Sequence, residues 1–70
     1  MDRHTFLRIH KIDKLIRDLP YPDLKRIQRE LGAYSLRTLA RDIEALKDSL
    51  NAPLKFSRRR GGYFYDGPAP

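Results

Sequence analysis

The hydrophobic period of this chain changes once, at Pro53, and that change limits the folds open to it. Upstream of Pro53 the apolar residues recur three or four positions apart; downstream they alternate with other side chains. The first spacing lines one face of a helix, and the second is that of a half-buried strand. A helical body followed by a short β segment is therefore expected. The chain has 70 residues, enough for one small domain. A domain of this size buries only about 60% of its unfolded surface, which leaves little room for the deep, walled pocket of most enzymes.

Three helices are predicted. The first covers residues 3–19, where Phe6, Ile9, Ile12, Leu15, Ile16 and Leu19 share a face, and Pro20 ends it. The second follows Asp23, a residue able to cap free amides of a first turn. It carries Leu24, Ile27 and Leu31 and stops at Gly32, the residue best suited to a left-handed helix end. The third is capped by Ser35. Its Leu36, Leu39, Ile43, Leu46 and Leu50 fall within an arc of about 80° at helical rotation. Asn51 tolerates the left-handed conformation that closes it, and Pro53 bars continuation. The leucine stripe is read as core, because it is shorter than the three or four heptads of a coiled coil.

After Pro53, Leu54 and Phe56 alternate with Lys55 and Ser57, and Tyr63 and Tyr65 flank Phe64. Arg59, Arg60, Gly61 and Gly62 lie between the two runs, a β-hairpin pattern. Both glycines allow positive φ and leave the loop backbone accessible. Tyr63 and Tyr65 are expected against the helices and Phe64 outward. Residues 66–70 read as linker. A short helix, a tight turn and a second helix form a helix-turn-helix. With the hairpin appended, the fold class is α+β, mainly α, a winged helix-turn-helix over residues 1–65.

The charge is uneven. Lys and Arg number 15, and Asp and Glu number 9, a net charge of +6. Residues 1–20 carry +2, residues 21–50 carry +1 and residues 51–70 carry +3. Half of the excess thus lies in the last 20 residues, with Arg58, Arg59 and Arg60 contiguous. A domain this basic points to a polyanion.

The third helix places Arg37 and Arg41 together on the side away from its leucines. As like charges four apart they cost the isolated helix about 0.2–0.5 kcal/mol. Arg37 also sits in the first turn, where the macrodipole favours a negative group. Both penalties turn to gains beside a phosphate or a guanine edge, which arginine reads in the major groove. The competing interpretation is a solvated face with an Arg41–Glu44 pair. In the hairpin, Arg58, Arg59, Arg60 and Gly61 could lie on a phosphate backbone or reach into a minor groove; the competing interpretation is a solubilising turn.

Catalytic and metal patterns are missing from the sequence. There is no cysteine, so no disulfide, thiolate site or Cys nucleophile. His4 and His10 have no carboxylate pair at ligand spacing. Ser35 lacks a nucleophile-elbow context, and Gly61-Gly62 lacks the Lys-Ser/Thr that completes a phosphate loop. No enzyme activity, metal or cofactor is expected. No apolar run approaches a membrane span and no signal peptide is evident, so a cytoplasmic, nucleoid-associated setting is expected.

The run Ser35-Leu36-Arg37-Thr38-Leu39-Ala40-Arg41-Asp42-Ile43 resembles the recognition-helix signature of DeoR-like winged helix-turn-helix regulators of bacteria. The downstream Ala52-Pro53 and Arg60-Gly61-Gly62-Tyr63 elements, with Tyr21-Pro22-Asp23 and Leu31-Gly32 upstream, are similar to the regulators that carry a WYL domain after the winged helix. The resemblance covers nearly the whole chain. It implies sequence-specific binding of double-stranded DNA in a bacterial or phage transcriptional regulator, a repressor in kind, acting as a homodimer on an inverted-repeat operator. Carried over by position, Leu36, Arg37, Thr38 and Arg41 belong to the major-groove helix, and Ser35 meets a phosphate. Arg58, Arg59, Arg60 and Gly61 form the wing. Tyr34 departs from the pattern as an extra residue before Ser35. The family also continues into a linker and a WYL domain beyond the point matching Pro70, so the chain is expected to be the N-terminal part of a longer protein. The sequence leaves two other functions open. One is a protein-interaction module using Phe64 and Tyr65; the other is binding of double-stranded RNA or of DNA without sequence preference.

Overall fold

The computed structural model describes residues 1–67; Pro68, Ala69 and Pro70, the end of the expected linker, lie outside the described residues. The chain forms α1 (Arg3–Asp18), α2 (Leu24–Leu31), α3 (Leu36–Asp48), β1 (Leu54–Ser57) and β2 (Gly62–Tyr65). This is the winged-helix layout expected from the change of period, mainly helical with a two-stranded antiparallel hairpin at the end.

Each helix begins where a short polar side chain can satisfy a free amide. Asp2 accepts from the Thr5 amide (2.7 Å), Asp23 from that of Arg26 (2.7 Å) and Ser35 from that of Thr38 (3.1 Å). The Asp2 cap lies one residue before the start predicted for the first helix. Gly32 ends α2 at φ 82° and Asn51 turns the chain after α3 at φ 52°. Regular helix in α3 stops at Asp48, two residues short of Leu50.

The core is a single cluster. Ile9, Ile12 and Ile16 of α1 meet Ile27 of α2, Leu39, Ile43 and Leu46 of α3, and Ala52 and Leu54 beyond. Two residues of the predicted stripes are exposed: Phe6 at 55% and Leu50 at 42%. Both sit at helix ends, where the apolar face runs past the element that covers it. With Ile9, His10 and Leu46 they line an apolar groove of about 430 Å³ between α1 and α3.

The hairpin pairs Leu54 with Tyr65, Lys55 with Phe64, Phe56 with Tyr63 and Ser57 with Gly62. Its open end packs on α1 and the core, so Leu54 is buried. Phe56 shares that face but lies toward the tip, beyond the helices, and is 51% exposed, its ring set edge-on to Tyr63 at 5.0 Å. Phe64 is half-buried rather than outward: its ring tilts against Tyr21 at 5.6 Å. Asp66, placed in the linker by sequence, belongs to the hairpin base. Its amide donates to the Pro53 carbonyl (2.7 Å) and its carboxylate pairs with Lys55 (2.7 Å).

Candidate nucleic-acid interface

The third helix presents its arginines without compensation. Arg37 and Arg41 are exposed, with Ala40 also exposed beside them, while Leu39, Asp42, Ile43 and Leu46 face inward. Among the described residues neither arginine makes a hydrogen bond or an ion pair, so the Arg41–Glu44 pair does not form. Leu36 and Thr38 are half-buried at the edges of the same surface. Ser35 works as the cap: its hydroxyl accepts the Thr38 amide and donates to the Thr38 hydroxyl (3.1 Å). The amides left without an intrahelical acceptor at this end are those of Leu36 and Arg37.

What orients α3 is an ion pair that periodicity does not reveal. Asp42 is 3% exposed, the one buried charged residue among those described. Arg8 of α1 meets it with two parallel hydrogen bonds, Nε to one carboxylate oxygen and Nη2 to the other (3.0 Å). The bond to Asp42 raises the Arg8 pKa above its ordinary value. The same guanidinium lies 5.1 Å from the centre of the Tyr34 ring, and the Tyr34 carbonyl accepts from Gln28 Nε2 of α2 (2.9 Å). The additional residue in the turn is thus built into the clamp. Asp42 is part of the Arg-Asp element of the signature, yet it faces the core and its role here is positional. Its only sign in the sequence is an acid beside Ile43, about 40° beyond the edge of the apolar arc.

The hairpin loop is closed by Ser57, whose carbonyl accepts the Gly61 amide (2.7 Å) and whose hydroxyl accepts the Arg60 amide (3.0 Å). Gly61 takes φ 75°, as a left-handed loop residue must. Gly62 has a different reason to be glycine. A Cβ there would stand 1.7 Å from the Tyr21 carbonyl oxygen, so two backbones touch at this point. Beside it the Tyr63 amide donates to the Pro22 carbonyl (2.8 Å). This docking coincides with a left-handed Tyr21, φ 52°, a conformation costing a non-glycine residue about 1 kcal/mol. Arg58 and Arg59 are exposed and, among the described residues, unpaired. Arg60 lies over the Tyr21 ring at 5.1 Å.

The aromatic pair proposed for a protein contact is engaged within the domain. Phe64 packs on Tyr21, and the Tyr65 hydroxyl donates to Asp13 of α1, with Arg17 6.0 Å from its ring. Burial, then the Asp13 carboxylate, raises the Tyr65 pKa well above that of an ordinary phenol; burial also raises that of Tyr63. Among the described residues no helix is long and apolar enough to cross a membrane. No family model, no curated protein and no solved structure matches this chain.

Proposed function

We propose that the chain is the DNA-binding domain of a bacterial or phage transcriptional regulator. In this reading α3 enters the major groove and the hairpin grips the flanking backbone or minor groove. The observation that carries it is the exposed, unpaired Arg37–Arg41 pair on a helix whose opposite face is locked into the core. Two like charges held four residues apart, with no acid engaged, are unfavourable for the free domain and favourable against guanine edges or phosphates. The loop arginines Arg58 and Arg59 supply attraction without base recognition. In a longer homodimeric protein, two such domains would read an inverted repeat with half-sites one helical turn, or a multiple of it, apart. The regulatory outcome proposed with it is repression, by occupancy of a promoter.

The test is binding to duplex DNA from the region upstream of its own coding sequence, measured by fluorescence anisotropy at several salt concentrations. Log affinity should fall against log salt with a slope near −0.9 per neutralised phosphate; a flat response overturns the reading. Arg37→Ala should relax base preference by about 1–3 kcal/mol. Arg59→Ala should weaken all duplexes alike. If the two variants behave identically, the division between helix and hairpin is wrong. Equal affinity for all wild-type duplexes would favour binding without sequence preference.

A further inference from the structure

Two arginines of α2 and one of the hairpin loop converge on one small cavity. It measures about 260 Å³ and lies between the α1–α2 turn, the start of α2 and the hairpin loop. Tyr21, Asp23, Arg26, Arg29, Arg60 and Gly61 line it. The charge balance is three guanidinium groups against one carboxylate. That carboxylate already accepts the Arg26 amide as the α2 cap. Arg26 reaches Glu30 only through long, exposed contacts of 3.3 and 3.4 Å, a kind of pair that contributes little and exchanges readily. Among the described residues Arg29 has no partner at all. Arg60 is held in place over Tyr21, and the backbone contact of Gly62 with Tyr21 fixes the root of its loop.

Like charges gathered this way repel in the free domain, and an anion removes the repulsion. Guanidinium forks match the geometry of phosphate oxygens better than any other side chain. Only the apolar groove beside Phe6 is larger among the cavities described, and it has no comparable charge. We propose that this cavity is a phosphate-binding site joining α2 to the hairpin, and that the phosphate it takes is a phosphodiester of duplex DNA. The first half stands on the cavity alone. The second half rests on the function proposed above: Arg60 adjoins the open Arg58 and Arg59, and all three cavity arginines are exposed to a polymer. Arg26 and Arg29 thereby become backbone contacts that the sequence pattern did not single out.

The experiment has two arms. In the first, sodium phosphate is titrated into the domain at constant ionic strength, with sodium chloride as control, and amide shifts are followed by NMR. Saturable, phosphate-specific shifts at Tyr21, Arg26 and Gly61 are expected, and their loss in the Arg29→Gln/Arg60→Gln double variant; circular dichroism verifies that the variant stays folded. Absence of phosphate-specific shifts in the folded wild type overturns the site. In the second arm, Arg29→Gln is compared with wild type for duplex binding against salt. A slope shallower by about 0.9 with unchanged base preference supports a backbone phosphate. An unchanged slope, with the phosphate shifts present, overturns the duplex assignment and leaves free phosphate as the ligand. If wild type binds no duplex while the phosphate shifts appear, the proposed DNA function fails and the phosphate site stands.

Discussion

The two basic regions of the molecule are held in place by opposite means. Arg37 and Arg41 ride on a helix fixed by side chains: three buried apolar residues and the Asp42 carboxylate gripped by Arg8. The hairpin arginines ride on a loop fixed at its root by backbone, where Gly62 lies on Tyr21 and the Tyr63 amide bonds to Pro22. The first arrangement sets the direction of a rigid surface, which suits contacts that must meet base edges. The second fixes where the loop starts and leaves Arg58 and Arg59 unpaired, which suits following a backbone whose shape varies with sequence.

The largest effect is expected at Asp42. Asp42→Ala leaves the half-buried Arg8 guanidinium without its partner, and loss of hydrogen bonding between charged groups costs about 1.5–3 kcal/mol. Urea denaturation should show this loss, with Asp42→Asn losing less. A loss under about 1 kcal/mol would mean that the pair does not hold α3. Gly62→Ala comes next. Its Cβ must displace the Tyr21 backbone, and overpacking of this kind costs about 1–3 kcal/mol. Here the sharper readout is local: the Tyr63 amide should lose hydrogen-exchange protection while the α3 amides keep theirs. Uniform loss across both regions would show that hairpin and helix are not held separately.

The smallest effect concerns the seam between the two regions, where Tyr65 of the hairpin bonds to Asp13 of α1. Tyr65→Phe should cost about 1 kcal/mol. The raised Tyr65 and Tyr63 pKa values favour the neutral phenols in the folded state. Their contribution is therefore complete below the unfolded tyrosine value near 10 and is lost as pH rises above it. Thermal unfolding between pH 8 and 11 should show stability falling from about pH 10, less steeply in Tyr65→Phe. An equal fall in the variant would remove Tyr65 as the cause.

Much of the fold was legible along the chain because its signals are local. Pro20, Asp23, Gly32, Ser35 and Pro53 act on their immediate neighbours, and the spacing of three and four reports the buried face of each helix. The exposure of Arg37 and Arg41 follows from the same rotation. Those signals fail at the ends of elements: Phe6, Leu50 and Phe56 keep the period but run past the surfaces that would cover them. They also misread Gly62, which resembles its loop neighbour Gly61 in sequence and differs from it in what stands 1.7 Å away.

Periodicity and caps specified three helices, one hairpin and an arginine pair facing out, since each depends on residues within a turn or two of one another. The Arg8–Asp42 clamp spans 34 residues and the Tyr65–Asp13 bond spans 52. The Arg26, Arg29 and Arg60 cavity likewise joins α2 to a loop two elements further on. No local pattern encodes such meetings. They arise when packing of the apolar faces brings distant polar groups to the same place, and there the direction of α3 and the root of the hairpin are set.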